Sequence, residues 1–386
     1  MAGLIFGSAT WALAGSEYRD FGSLWASGDA ANRGENPYGV YEHTFRVGGP
    51  DGPPAPNLNP PASVYPLQLL AKLDIRTALN IWQYGSIALY AATIVAVVGG
   101  MQPWGHRWQN LLFAGWALSL GGFWHTIELG QVYVLLAALA AGAWLSLRSE
   151  RPLLAAMFLG LLAALKPNFI VWPLLLALSG QRRSGLLGLA IFAAVSAVPL
   201  FIDGLWIYRE WMSTTPSLAD AAAGMAKIGG NSSLLALTGR FGVAPLGIAL
   251  SGLLTLTMAW IAYRRFVPPL HLSALALVTT LLLGPVAWAG YSIVLLPVFA
   301  WMRWRAATFV AAACLSVPYW LVMQAGDIAT VHRQLVESVY AAGLLLVLGS
   351  LLLPVLQRVR LGAAVRKRRH AGGLKTRRRP LQDASA

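Results

Sequence analysis

Apolar runs recur along almost the whole chain, separated by short polar turns. The pattern fits helices of membrane-spanning length, and no segment shows the ~10-residue alternation of a membrane β-barrel. We read about twelve such runs, at roughly 2–15, 78–99, 107–124, 130–147, 153–166, 168–180, 185–203, 244–263, 269–284, 290–302, 306–323 and 336–355. Several fall short of the ~20 residues that a straight span needs, and such helices must be tilted, broken or shielded by neighbours. The first is the shortest case: residues 2–15 would rise only ~21 Å through ~30 Å of hydrocarbon. A cleaved leader is a poor alternative for it, because no basic stretch precedes the apolar run.

The polar turns alternate in charge. His106 and Arg107, Arg148 and Arg151, Arg182 and Arg183, Arg264 and Arg265, Arg303 and Arg305, and the C-terminal tail all fall on one side of a twelve-span layout. The positive-inside rule makes that side cytoplasmic and gives the protein an inner-membrane orientation. The opposite turns, facing outward, hold Asp20, Glu128, Gln131, Lys166, Arg209, Lys227, Asn231 and Arg240. Two outward segments are long, at 16–77 and 203–243, after the first and seventh spans. In the first, 20–33 mixes Phe21, Leu24 and Trp25 with polar residues and predicts a short helix lying at the interface. From Asn36 to Tyr65 the Pro and Gly content predicts extended and turn structure. In the second, 205–212 is amphipathic and aromatic, and 219–230 is small and flexible.

Composition agrees. Of 386 residues 57% are hydrophobic and 11% charged, against ~25% charged in soluble domains, and the mean hydropathy is +0.58. The net charge of +14 would suggest nucleic acid, but ten Lys or Arg and one acid lie between Leu356 and the end. We therefore divide the chain into a membrane domain, 1–355, and a basic cytoplasmic tail, 356–386, disordered and held near anionic lipid rather than nucleic acid. Cys314, the single cysteine, excludes an intrachain disulfide and a thiolate zinc site.

The outward face carries its motifs in order. Asp20 leads to Gly34-Glu35-Asn36-Pro37-Tyr38, then Pro60-Pro61 and Tyr65-Pro66. Glu128 precedes Gly130-Gln131, Lys166-Pro167 closes the fifth run, Asn231-Ser232-Ser233-Leu234 precedes Arg240, and Gly284-Pro285-Val286-Ala287-Trp288 forms a late turn. This series resembles the GT-C fold glycosyltransferases of glycosyltransferase family 87, polyprenol-phosphate-mannose-dependent mannosyltransferases and their relatives, over roughly residues 16–300. The resemblance implies an all-α, polytopic GT-C-like protein and an inverting, single-displacement transfer of a sugar, mannose first, to a lipid or glycan acceptor. The family carries histidines shortly after the Trp of the late turn. This chain has Gly290 and Tyr291 there, which leaves the donor phosphate to Arg or Lys elsewhere.

The residue types suit that chemistry. A sugar-lipid phosphate brings its own leaving group, and the chain has neither a P-loop nor a GxGxxG fingerprint. A carboxylate must take the acceptor proton, a role worth ~10²–10⁴ in rate, and Asp20 is the candidate base. Arg240, Arg209, Lys227 and Lys166 are the candidate phosphate cations. Asp29, Asn36, Tyr38, Tyr65, Glu128, Gln131, Asn231, Ser233 and Trp288 are candidates for sugar or acceptor contacts. Bland readings stand beside these: Asp20 simply solvated, Asp29 a helix-end charge, Lys166 snorkelling to the interface, Glu128 and Gln131 in structural hydrogen bonds, His125 paired with Glu128. No cofactor is called for. Glu17 and Asp20, three residues apart, could share a cation, but no His or further acid completes a metal set. The rival reading is a transporter or flippase of lipid-linked sugars, which would show half-to-half repeats and polar groups at the midplane; neither is evident in the chain.

Overall fold

The computed structural model describes residues 18–47, 51–101, 107–214, 229–324 and 330–375. The expected first span, Glu17, Lys227 and most of 219–230 lie outside the described residues. Among those described the fold is helical, with one isolated bridge between Arg46 and Pro54.

The helices in order are α1 (Arg19–Asn32), α2 (Val64–Leu70), α3 (Ile75–Met101), α4 (Arg107–Leu118), α5 (Gly121–Leu129), α6 (Tyr133–Arg148), α7 (Pro152–Leu165), α8 (Val171–Leu178) and α9 (Arg182–Ile202). There follow α10 (Trp206–Thr214), α11 (Leu234–Arg240), α12 (Ala244–Arg264), α13 (Pro269–Leu283), α14 (Leu296–Trp301), α15 (Ala306–Leu315), α16 (Tyr319–Gln324), α17 (Thr330–Glu337) and α18 (Val339–Lys375). Tight 3₁₀ turns at Pro61–Ser63, Pro167–Ile170 and Ala289–Leu295 lead into α2, α8 and α14.

Stretches within α3, α9, α12 and α18 are long and apolar enough to cross a membrane unaided. Their outer faces keep apolar side chains exposed, including Val95 at 72%, Leu256 at 70% and Phe201 at 88%. Side chains of this kind fit a lipid environment, and a monomer in water rarely exposes so many. The remaining apolar runs are divided or short. The run expected at 107–124 breaks between α4 and α5, and those at 168–180, 290–302 and 306–323 each split into two pieces. Short pieces leave terminal N–H and C=O groups that need shielding, and the interior supplies it: α13 is buried from Leu272 to Leu282, and α6 is buried along most of its length.

One expectation is revised. α1 is a helix, but it does not lie free at an interface. Phe21, Leu24, Ala26, Ser27 and Ala30 are buried, and the proline-rich segment folds back over them. Ser23 Oγ donates to Ala55 O at 2.7 Å, Asn57 donates to Ser27 Oγ at 3.0 Å, and Trp25 Nε1 donates to Leu73 O at 3.1 Å. Prolines spare that segment a backbone N–H to satisfy, which suits it to a covering layer. At the other end, α18 continues to Lys375, into the basic stretch that begins at 356. Arg, Lys, Leu and Ala are good helix formers, and the apolar half supplies the nucleus from which they propagate.

Candidate active site

The site is assembled at the first turn of α1, the junction of α5 and α6, the end of α7, the Ala289–Leu295 turn and the start of α16. Each arrives there for a local reason. Gly130 closes α5 in the left-handed conformation at φ +67°, with its N–H on Ile127 O at 3.3 Å and the Gln131 N–H on Thr126 O at 3.1 Å. That cap throws the Gln131 side chain back toward α1, where Nε2 donates to Asp20 Oδ2 at 2.6 Å. Pro167 stops α7 by forcing Lys166 into an extended conformation, φ −144° and ψ 98°. Lys166 Nζ then lies 6.0 Å from the ring centres of both Tyr133 and Tyr291, rings that pack 4.3 Å apart. Gly290 makes room for this packing, since a Cβ there would lie 2.3 Å from Tyr133 Cδ2.

Arg19 completes the group. Its Nη1 is 3.0 Å from Glu128 Oε1, and its backbone sits at φ +40°, a strained position for a residue with a Cβ. Burial pushes the Asp20 carboxyl above its usual range, against the hydrogen bond from Gln131 and the nearby charges of Lys166 and Arg19. Burial also raises Glu128, against the pull of Arg19. His125 does not pair with Glu128 as the sequence suggests. Its ring stacks on Tyr319 at 3.7 Å, and burial together with Arg19 holds the imidazole down at about 3, hence neutral. The reason is that Arg19 competes for Glu128 with a full charge.

A second cluster joins the loop before α11 to the turn after α13. Asn231 is fully buried. Its Oδ1 accepts from the Ser233 N–H at 3.2 Å and the Ala287 N–H at 3.0 Å, and its Nδ2 donates to Pro285 O at 3.3 Å. Ser233 caps α11 by accepting from the Ala236 N–H at 3.1 Å. Arg240 is 8% exposed; its Nη2 donates to Asn231 O at 2.9 Å and its Nε to Ser338 Oγ at 3.1 Å. Nη1 has no hydrogen-bond partner among the described residues, and burial lowers the guanidinium to about 10. Tyr319 touches both clusters, since its hydroxyl donates to Gly229 O at 3.3 Å while its ring covers His125.

The other sequence candidates stand apart from Asp20. Asp29 pairs with Arg33, which also holds Glu35. Asn36 donates to Glu210 at 2.7 Å, Tyr38 donates to Asn59 O at 3.0 Å, and Tyr65 donates to Asp203 at 2.7 Å. With Val64 and Ile207, Tyr38 forms a small buried cluster that binds the segment before α3 to α10. Arg209 is exposed on α10, and Trp288 packs half-buried against the main core. Among the described residues, no three His, Cys, Asp or Glu side chains converge as a metal set. Arg19, Tyr133, Tyr291 and Tyr319 are the residues that sequence reasoning missed. Only Tyr291 carried a signal, as the substitute for an expected histidine.

Gln131 and Lys166, which meet at Asp20, both lie within the stretch of residues 57–288 that matches the family model of glycosyltransferase family 87. That match spans more than half of the chain. The chain belongs to glycosyltransferase family 87. It is accordingly a membrane glycosyltransferase, with a sugar donor and an acceptor as its substrates. No curated protein matches the chain. The family match covers Tyr65, Glu128, Gln131, Lys166, Asn231, Ser233, Arg240 and Trp288. Asp20 precedes it, and the Gln131 hydrogen bond joins it to the matched part.

Proposed function

We propose that this glycosyltransferase moves a sugar, mannose first among candidates, from a polyprenyl-phosphate donor to a hydroxyl of a lipid or glycan acceptor. The reaction takes place at the outer face of the inner membrane, in a GT-C-like protein of about twelve spans. The observation that carries this reading is the half-buried Asp20 carboxylate, held by Gln131 at 2.6 Å with the charges of Lys166 and Arg19 beside it. A carboxylate raised by burial is a better proton acceptor than a solvated one, and it costs the fold something to keep it there.

In this mechanism the acceptor hydroxyl gives its proton to Asp20 as its oxygen bonds to the anomeric carbon. The bond from that carbon to the phosphate oxygen breaks, and the electron pair leaves on the polyprenyl phosphate. Attack opposite the leaving group inverts the anomeric centre. Gln131 orients the base through Nε2. Its Oε1, buried with no hydrogen-bond partner among the described residues, accepts from a substrate hydroxyl. Lys166, fixed by two tyrosine rings, bears on the departing phosphate, and Arg240 has Nη1 available for the same anion. Arg209 and Lys227 are the remaining outer-loop cations. Glu128, Asn36, Tyr38, Tyr65, Asn231, Ser233 and Trp288 shape the surrounding loops, and Asp29 lies further along α1.

The test is sugar transfer by detergent-purified protein given labelled polyprenyl-phosphate sugars and a membrane-lipid extract, with Asp20→Asn in parallel. Transfer that collapses in the variant is the expected result. Folded wild-type protein that transfers from no polyprenyl donor, or an Asp20→Asn variant at full rate, would overturn the proposal.

A further inference from the structure

Arg19 is a cation at the site for which the proposed mechanism has no task, and three independent observations single it out. Its backbone is held at φ +40°, a strained conformation for a residue with a Cβ. Strain of that kind survives where the surrounding structure requires it. Its Nη1 meets Glu128 at 3.0 Å, yet its Nε is buried with no hydrogen-bond partner among the described residues. Its charge also acts on Asp20, as that of Lys166 does.

The reaction gives such a group a purpose. Transfer turns the Asp20 carboxylate into a neutral acid and the donor's phosphodiester monoanion into a monoester carrying one more negative charge. One unit of negative charge therefore leaves Asp20 and arrives on the phosphate. Cations that face both places stabilise the product of that move without being rebuilt. Lys166 is a point charge between two rings. A guanidinium adds a planar fork that matches two phosphate oxygens, and a fork with an uncommitted Nε has that capacity to spare.

Resting on the polyprenyl-phosphate reading above, we infer that Arg19 is the phosphate-binding residue that receives the departing polyprenyl phosphate, and that Glu128 is the positioning residue that holds Arg19 at the site between turnovers. The two residues then have opposite effects on phosphate affinity. Arg19 binds the anion, and Glu128 competes with it for the same guanidinium.

Sugar-free long-chain polyprenyl phosphate is the probe, read by direct binding to the purified protein and as a product inhibitor of transfer. Arg19→Gln is expected to weaken its binding about 10- to 100-fold, the loss of one or two charge-assisted hydrogen bonds, with kcat lowered as well. Arg19→Lys, which keeps the charge without the fork, is expected between Arg19→Gln and wild type. Glu128→Gln is expected to bind the probe as tightly as wild type or more so. If the ion pair only pinned α1 to α5, Arg19→Gln and Glu128→Gln would behave alike, because each breaks the same bridge; equal loss in both variants overturns the inference. Unchanged binding in a folded Arg19→Gln protein overturns it too. Wild-type protein that binds polyprenyl phosphate but transfers no sugar would instead sink the transferase reading, while the binding comparison still decides the role of Arg19.

Discussion

Replacing Gly130 by alanine perturbs the proposed base, Asp20, from a position outside the proposed substrate contacts. At φ +67° an alanine pays ~1–2 kcal/mol for the left-handed backbone. Its Cβ would also lie 2.6 Å from Phe21 Cβ, where ordinary contact begins at 3.4 Å, so α1 must retreat by about 0.8 Å. Crowding of this sort adds ~1–3 kcal/mol. Phe21 follows Asp20 directly, so the retreat stretches the 2.6 Å bond from Gln131 to the limit of hydrogen bonding. A misplacement near 1 Å at the reacting groups costs about 10² in rate. The expected result is a transfer rate lowered about a hundredfold together with a reduced thermal midpoint, measured at fixed scan rate in one detergent. Gly34→Ala is the control: its φ is +74°, and nothing lies within 4 Å of a Cβ built there. It should lose stability by the backbone strain alone and transfer sugar at the normal rate. A Gly130→Ala protein with normal kcat would refute the link from the α5 cap to the base. An equal loss of rate in Gly34→Ala would show that the Phe21 contact is not the cause.

Asp20→Asn should cut transfer by ~10²–10⁴. Because burial raises the folded pKa of Asp20 above its unfolded value, this group favours the fold most at low pH, and its contribution falls as pH rises through the ordinary carboxylate pKa to the raised one. The uncharged Asn escapes that penalty, so the variant should melt no earlier than wild type at pH 7, and an earlier midpoint would contradict the account. The same shift places the acid limb of kcat/KM above the usual carboxylate range, read from a pH–rate profile; a limb within the usual range would count against Asp20 as the base. Asn231→Leu strands the buried N–H groups of Ser233 and Ala287 and should cost about 2–5 kcal/mol, seen as a large drop in midpoint. Tyr65→Phe removes the 2.7 Å bond to Asp203, at about 1 kcal/mol, and should speed proteolysis of the segment that follows α9 while leaving the fold intact. Unchanged cleavage would mean that this bond does not tie that segment to the one before α3.

What was legible along the chain is what neighbouring residues decide among themselves. The apolar runs marked membrane helices, Pro167 marked the end of α7, and Gly130-Gln131 and Asn231-Ser232-Ser233 marked the turns on which the site stands, because helix stops, left-handed caps and N-caps are settled within a few residues. The same locality explains what the chain alone did not show. Apolar runs read as single spans are divided into short helices, since length and hydropathy do not say how a run is shielded once packed. Asn36, Tyr38 and Tyr65 looked like ligand contacts, and their hydrogen bonds go to Glu210, Asn59 and Asp203, two of them more than 130 residues away. The pairing of Asp20 with Gln131 spans 111 residues, and the approach of Tyr319 to His125 joins segments still further apart. The sequence by itself determined a helical membrane protein with its polar motifs gathered on alternate turns and a candidate base. Which cations face that base, and that Arg19 is one of them, was decided only by tertiary packing, because a charge finds its partner through the space the helices leave and not through its position in the chain.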